Sequence, residues 1–363
     1  MEIYTCRKPE RLSAIAGRFG LTPAALQHCN GLNHCGPLPT GFSLLIPGGT
    51  DSPPRPAELY LCSSRPLPDS RLEAMAPFLS AMLLPPGSCR AGQLKRAGIT
   101  PILLLDNRDT EGIPEPALAH EMLREEECRR VWAEDALRQV QAEGCSGLCL
   151  HLPFVRPFDR DRLSALLLQL SELLHREGLY FMLAAAPPGD DTPNPASAAL
   201  DFSLLGRCCD RVFLQCYDWG HRDSPPQAPA PLPRLRQSVE LTLAHISPER
   251  LVLGLAGHGY CWQLPWQPGQ QAEAIGHGRA RELAVSCGEE IRWDRFAQSP
   301  FFSFHDPAGR RHGLWYEDVR SLRQKLLLLS DYKLAGAALF GPGLWDEGSL
   351  ALIRALLYPQ PLP

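Results

Sequence analysis

The sequence predicts an α/β protein in which a (β/α)8 barrel follows a small βααβ module. Short apolar runs alternate with helical stretches over roughly 300 residues, which is typical of strands and helices arranged around a parallel sheet. A doubly wound open sheet is the alternative, but no G-x-G-x-x-G follows the first apolar run, and this favours the barrel. In a barrel, we expect the functional side chains at the carboxyl ends of the strands.

Length and composition agree with this organisation. The chain has 363 residues, of which 44% are hydrophobic and 21% charged, and its formal net charge is −4. At about 150 residues per domain, this is enough for two domains or for one large barrel with an appendage. No block of Lys or Arg builds a basic surface, so nucleic acid is not an expected partner. No apolar run reaches about 18 residues, so no membrane partner is expected either.

The N-terminal module is predicted from helical periodicity and turn residues. Apolar residues at helical spacing indicate a first helix, and Thr22 followed by Pro23 is a typical start of a second. The Asn30-Gly31 turn leads to a last strand that ends at Pro47. The predicted elements are a strand over 2–6, helices over 11–19 and 23–29, and a strand over 43–46.

The remaining residues form the barrel and the segment that leads to it. Residues 51–56 are rich in Pro and Ser and are typical of a linker. We therefore predict a module over 1–48, a linker over 49–57 and a barrel over 58–363. Predicted helices cover 117–143 and 160–177. The predicted barrel strands are 59–62, 102–105, 147–152, 180–185, 211–216, 251–256 and 335–340.

The first segment resembles the LysM carbohydrate-binding module. The matching residues are Ile3-Tyr4-Thr5, Leu12-x-x-Ile15-Ala16, Leu26-x-x-x-Asn30-Gly31-Leu32 and Leu38-x-x-Gly41-x-x-Leu44-x-Ile46-Pro47. The resemblance implies binding of N-acetylglucosamine-containing glycans in a groove between the loops at 7–12 and 33–40. The family's Gly-Asp-Ser/Thr turn is replaced here by Pro9-Glu10-Arg11. The implied glycan-binding residues are Pro9, Glu10, Arg11, Leu12, Leu38 and Pro39.

The larger segment resembles the glycoside hydrolases of family 18, and in particular spore cortex-lytic N-acetylglucosaminidases that join LysM to a barrel. Seven matching segments occur in order along the chain. They are 102–107, 147–160, 213–219, 253–260, 293–302, 312–321 and 336–340.

The resemblance also assigns the catalytic positions. In this family the fourth strand ends in D-x-x-D-x-D-x-E, whose final Glu protonates the glycosidic oxygen, while the substrate's own acetamido oxygen is the nucleophile. On this chain the four positions are Ser146, Cys149, His151 and Pro153. None is a carboxylate, and proline has no ionisable group. Because losing a general acid costs about 10²- to 10⁴-fold in rate, the resemblance predicts a degenerate motif with little or no activity.

Other residues match the sugar-binding positions of the family. Tyr217 and Asp218 match a Tyr-Asp pair that steers the acetamido group, and Phe340 replaces the tryptophan beneath the sugar. Asp218 and Glu317 are the fallback acids. For Glu317 and its neighbour Asp318, the alternative role is an ion pair with Arg320 or Arg323. The expected substrate-binding residues are Asn107, Tyr217, Asp218, Trp219, Tyr260, Trp315, Glu317 and Phe340, and further rings near strand ends are Trp262 and Trp345.

Three functional hypotheses follow. The first is a peptidoglycan- or chitin-binding protein with an inactive barrel, associated with the spore or the cell wall. The second is an active N-acetylglucosaminyl hydrolase that uses an unusual acid, and the third is a scaffold with no affinity for glycan.

Cysteine usage and the first residues bear on cofactors and location. The 13 cysteines include no C-x-x-C, so neither a metal site nor a cofactor is expected. A disulfide between two of the residues Cys6, Cys29 and Cys35 is an alternative that the sequence does not decide. The first residues lack the apolar core of a secretory signal, so we expect synthesis in the cytoplasm with free thiols. The family resemblance implies later deposition in the spore cortex or coat.

Overall fold

The computed structural model describes residues 1–32, 36–48, 53–63, 67–108, 113–189, 194–341 and 344–362. Its N-terminal elements are β1 (Glu2–Thr5), β2 (Glu10–Arg11), α1 (Leu12–Arg18), α2 (Pro23–Asn30), β3 (Pro37–Leu38) and β4 (Ser43–Ile46). Strands β1 and β4 are antiparallel, so the expected order of strand, helix, helix and strand is present. The Thr22 hydroxyl caps α2 by accepting from the Ala25 amide at 3.1 Å.

Eight parallel strands form a closed barrel, as predicted. The first seven are β5 (Arg55–Cys62), β6 (Ala81–Leu84), β7 (Thr100–Asp106), β8 (Gly147–His151), β9 (Tyr180–Ala185), β10 (Arg211–Leu214) and β11 (Leu251–Ala256). The eighth, Gly336–Phe340, pairs with β11 on one side and β5 on the other, which closes the barrel. Sequence analysis missed β6, a run of four buried apolar residues between the predicted strands over 59–62 and 102–105.

Helices surround the barrel. They are α3 (Asp69–Met75), α4 (Ala91–Arg96), α5 (Pro116–Leu123), α6 (Glu126–Ala142), α7 (Arg160–Arg176), α8 (Phe202–Cys208) and α9 (Leu232–Leu243). The predicted helix over 117–143 is two helices, α5 and α6. The residues that the structure describes include no helix long and apolar enough to cross a membrane.

A buried ion pair crosses the barrel interior near the amino ends of the strands. Glu58 on β5 is 6% exposed and accepts hydrogen bonds from Arg211 Nε on β10 at 2.8 Å and from the Tyr60 hydroxyl at 2.7 Å. The Tyr60 hydroxyl also lies 2.9 Å from that of Tyr180 on β9. Buried charge is tolerated where it is paired and hydrogen-bonded, so this network joins three strands across the lumen.

An antiparallel sheet is inserted between the seventh and eighth barrel strands. Its elements are β12 (His258–Leu264), β13 (Glu273–Gly276), α10 (His277–Cys287), β14 (Arg292–Asp294), β15 (Ser299–His305) and β16 (Arg311–Trp315). The chain then continues through α11 (Val319–Asp331), β17 (Gly336–Phe340), α12 (Glu347–Leu356) and β18 (Leu357–Pro359). Sequence analysis placed this region at barrel strand ends and did not foresee a separate sheet.

The N-terminal module packs directly against the insertion. Ile15, Leu26 and Phe42 of the module share one apolar core with Phe302 and Leu314 of the insertion, among other residues. The segment between module and barrel is shorter than the predicted linker, since β5 already begins at Arg55, and residues 49–52 lie outside the described part of the chain.

Close backbone contacts fix the same interface. The Ile291 amide donates to the Thr40 carbonyl at 2.9 Å. Gly41 has φ 80°, and a Cβ there would lie 1.8 Å from the Ile291 carbonyl oxygen, so only glycine fits.

A buried ion pair reinforces this docking. Arg281 on α10 is 5% exposed, pairs with Asp346, and donates to the Asn30 carbonyl of the module at 3.2 Å. Its guanidinium lies 4.8 Å from the ring centre of Phe42. Arg281 therefore holds the insertion, the module and the start of α12 together.

We predict that Arg281→Ala lowers the free energy of unfolding by about 3–5 kcal/mol, because the buried carboxylate of Asp346 loses its ion-pair partner. Chemical denaturation measures the effect. Arg138→Ala, which removes an exposed pair with Asp135, is the control and should cost less than about 1 kcal/mol. Equal effects of the two substitutions would contradict a docking role for Arg281.

Candidate functional site

A pocket of about 880 Å³ opens at the carboxyl ends of the barrel strands. Its walls come from the ends of several strands and from the loops that follow them, the place where barrel function is expected. The residues that line the pocket include Asp106, Arg108, His151, Phe154, Gln215, Tyr217, Asp218, Trp219, His221 and Phe340.

His151 ends the fourth barrel strand and faces this pocket. It is 6% exposed, and its Nε2 lies 3.1 Å from Gln215 Oε1. Burial lowers the pKa of His151 to about 4, and the nearby Arg108 charge acts in the same direction. The imidazole is therefore neutral at pH 7 and has no cationic proton to donate.

Pro153 is not among the pocket-lining residues. The loop that contains it is hydrogen-bonded to the side chain of Asn107. The Asn107 side chain is buried and donates to the Pro153 carbonyl at 3.2 Å and to the Glu115 carbonyl at 3.4 Å. Asn107 was predicted to bind substrate, but it does not line the pocket, because its amide group is used to join two loops.

Asp218 lies in the pocket and is oriented by the insertion. Its Oδ1 lies 2.7 Å from His258 Nε2 and accepts from the Tyr260 hydroxyl at 3.0 Å. The side chain of Asp218 is 39% exposed. Tyr260, a predicted substrate-binding residue, therefore acts through Asp218. Burial and the Asp218 charge raise the pKa of Tyr260, which keeps its hydroxyl protonated as a donor.

Aromatic rings form the other predicted part of the pocket. Tyr217 stacks on Phe340 with ring centres 5.5 Å apart and planes 16° apart. Burial raises the pKa of the Tyr217 hydroxyl well above its usual value, so the hydroxyl stays protonated, while the Gln215 side chain acts in the opposite direction. Trp219 lines the pocket beside them, and its amide donates to the Pro229 carbonyl at 2.9 Å.

Sequence analysis missed several pocket residues. Asp106 ends β7 and lies in register with His151 on β8. Its position at the carboxyl end of a barrel strand is the signal that could have found it. Arg108, Phe154, Gln215 and His221 lie in loops, where period gives no signal.

Glu317 and Trp315 were expected in the pocket but lie outside its lining. Glu317 is 4% exposed, pairs with Lys325, and accepts from the Ser299 hydroxyl at 3.2 Å. The predicted alternative of an ion pair holds for Asp318, which pairs with Arg320 at 2.7 Å, whereas Glu317 pairs with Lys325 in place of Arg320 or Arg323. Trp315 stacks on Phe301 of the insertion, with ring centres 4.5 Å apart.

Trp262 and Trp345 are also packing residues. Trp262 is 1% exposed, and its indole donates to the Ser224 carbonyl at 2.7 Å. Trp345 is 3% exposed and donates to the Phe340 carbonyl at 3.0 Å.

The predicted glycan-binding residues of the module divide by exposure. Leu12 and Leu38 belong to the shared core, and Pro39 is also buried, so their side chains do not form a groove surface. Strands β2 and β3 join the two predicted groove loops, and Glu10 accepts from the Tyr4 hydroxyl at 2.7 Å. The exposed members are Pro9 and Arg11.

The thiols and candidate metal ligands are dispersed. Cys6 and Cys29 are free, and Cys35 lies outside the described residues, as do positions 33 and 34 of the predicted groove loop. Within the described ranges, no group of three or more His, Cys, Asp or Glu side chains could hold a metal ion.

Comparison with known proteins identifies the family. The model of Glycosyl hydrolases family 18 matches residues 120–342, more than half of the chain. The chain belongs to glycosyl hydrolase family 18. This confirms the resemblance of the larger segment.

Relatives of this family 18 protein include sporulation proteins. YdhD of Bacillus subtilis, whose name suggests a sporulation-specific glycosylase, is 27% identical over 94% of this chain and 86% of its own length. The cortical fragment-lytic enzyme of Bacillus subtilis is 30% identical over 68% of this chain and 57% of its own length. The crystal structure of the spore cortex-lytic enzyme SleL of Bacillus megaterium agrees in fold with a TM-score of 0.78, covering 99% of this chain and 87% of that chain at 24% identity.

The depressed pKa of His151 predicts a pH effect on the stability of this family 18 barrel. Its folded pKa of about 4 lies below its ordinary value of 6.5, so the unfolded chain binds the proton more readily, and stability falls as the pH falls from about 6.5 towards 4. We expect His151→Gln to lose less thermal stability than the wild type between about pH 7 and pH 5. Melting curves at the two pH values test this, and identical losses would contradict it.

Proposed function

We propose that the barrel mouth binds N-acetylglucosamine-containing glycan and does not cleave it by the acid-catalysed route of the family. The observation that carries the proposal is an open, aromatic-walled pocket with a neutral His151 at the end of the fourth strand and a proline two residues later. On the family resemblance, these are motif positions that carry the Asp and the acidic Glu in active members.

Binding is supported by what the pocket offers a sugar. The rings of Tyr217, Phe340 and Trp219 provide flat apolar surfaces, while the side chains of Asp218 and Gln215 supply polar groups in the same pocket. Apolar walls with a few convergent polar groups are typical of small-ligand pockets. A scaffold without glycan affinity would have no need for such an opening.

The lack of cleavage is supported by the state of the carboxylates. Asp218 Oδ1 already has His258 and the Tyr260 hydroxyl within hydrogen-bond distance. Asp106 lies 3.9 Å from Arg108, and Glu317 is paired with Lys325 away from the pocket. Among the described pocket residues, none is a carboxyl group arranged to keep a proton for the leaving oxygen.

The related proteins point to the polymer. Their names refer to sporulation and to spore cortex, so we propose peptidoglycan of the spore cortex as the natural ligand, with chitin oligosaccharides as chemically similar probes. The N-terminal module is proposed to be a LysM module that contacts the same polymer through its exposed residues, Pro9 and Arg11.

The second candidate is an active hydrolase that uses Asp218 as its acid. It is favoured by one observation, namely that Asp218 lines the pocket with its side chain 39% exposed. A bound substrate could replace the hydrogen bonds that His258 and Tyr260 make with this carboxyl group.

For binding, we predict that Trp219→Ala weakens the affinity for chitin tetrasaccharide about tenfold, because a ring that stacks on a sugar is lost. Calorimetric titration measures the dissociation constant. Trp315→Ala is the matched control and should leave it unchanged, because Trp315 stacks on Phe301 outside the pocket lining. A wild-type protein that binds no oligosaccharide would instead support the scaffold hypothesis.

For cleavage, we predict that the wild type releases products from cortex fragments at least about a hundredfold more slowly than an active family 18 enzyme, because it lacks the general acid. Product release is followed by chromatography. Turnover at the rate of an active enzyme that is lost in Asp218→Asn but kept in Asp106→Asn would establish the second candidate and refute the first.

A further inference from the structure

Phe154 has an unusual backbone conformation. It lies in the loop after β8, three residues beyond His151, the last residue of that strand. The φ of Phe154 is 60°, in the left-handed region where the Cβ of a bulky residue is strained. The described residues include five non-glycine positions with positive φ, and two of them, Phe154 and Asp218, line the same pocket. Strain that persists tends to collect at functional sites, where the surrounding structure holds it.

The loop around Phe154 is held from two sides. The Pro153 carbonyl accepts from the Asn107 side chain at 3.2 Å, and the Phe154 amide donates to the Ala196 carbonyl at 3.3 Å. Asn107 follows β7 and Ala196 follows β9, so the strands on both sides of β8 fix this backbone. The conformation is thus imposed by the barrel mouth and does not depend on the loop alone.

The ring that this backbone presents is exposed and has no aromatic partner. Phe154 is 44% exposed, lines the pocket, and makes no ring contact with a described aromatic residue. Its neighbour Phe158 is 65% exposed, but packs edge-on against His120 at 5.4 Å and lies outside the pocket lining. Pockets that bind small ligands are lined mainly by apolar and aromatic side chains, so this ring is available for a ligand contact.

We infer that Phe154 is a specificity-determining residue that stacks on a second sugar ring of the bound glycan. The first ring lies over Tyr217, Trp219 and Phe340, which belong to β17 and to the loop after β10, whereas Phe154 follows β8 on another side of the mouth. Apolar faces on two sides of one pocket suit a chain of sugars better than a monosaccharide. This inference rests on the proposed glycan binding and adds a preference for oligosaccharides over the monosaccharide.

The test compares Phe154→Gly, Phe154→Trp and the wild type for binding of N-acetylglucosamine and of its tetrasaccharide. In Phe154→Gly we expect about fivefold or greater loss of tetrasaccharide affinity with unchanged monosaccharide affinity, because only the second ring loses its contact. Phe154→Trp should keep the tetrasaccharide affinity. Glycine relieves the left-handed strain, so the Tm of Phe154→Gly should equal or exceed that of the wild type.

Lys333→Gly is the matched control, because Lys333 is exposed, has φ 56°, and is not a pocket residue. It should relieve strain in the same way without changing affinity for either sugar. Equal tetrasaccharide affinity in wild type and Phe154→Gly would overturn the inference while leaving the proposed glycan binding intact. Parallel loss of monosaccharide affinity and of Tm would show a structural role, and a wild type that binds neither sugar would overturn both proposals.

Discussion

Closure of the barrel is the constraint on which the site depends. The eighth barrel strand, β17, pairs with β11 on one side and β5 on the other. A Cβ at its first residue, Gly336, would lie 1.8 Å from the Glu58 carbonyl oxygen. Once the sheet is closed, the carboxyl ends of all eight strands meet around one opening. His151, Asp218 and Phe340 are far apart in sequence and line one pocket for this reason.

The insertion and the N-terminal module extend this constraint outward. His258 and Tyr260 at the start of the inserted sheet orient Asp218, while Phe302 and Leu314 of the same sheet share a core with the module. The inserted sheet therefore contacts both the module and the residue that it orients in the pocket. The module and the barrel form one packed structure, and this sets the orientation of the proposed LysM surface relative to the barrel mouth.

The chemistry of the pocket follows from which charges are already paired. Glu317 is used by Lys325, Asp318 by Arg320, and Asp218 by two donors from the insertion. Burial keeps His151 neutral at pH 7, since its pKa falls to about 4. The rings of Tyr217, Trp219 and Phe340 line the same pocket, and these surfaces support the proposed binding of a sugar chain.

The sequence by itself determined the barrel and the order of the N-terminal elements, since these depend on local period and residue type. Four of the expected substrate-binding residues, Tyr217, Asp218, Trp219 and Phe340, line the pocket. Only the tertiary structure decided that Asn107 joins two loops and that Glu317 forms an ion pair with Lys325. The partners lie at different places along the chain, so the local sequence pattern does not reveal them. The same holds for the exposed ring of Phe154, whose backbone conformation is set by contacts from the neighbouring strands.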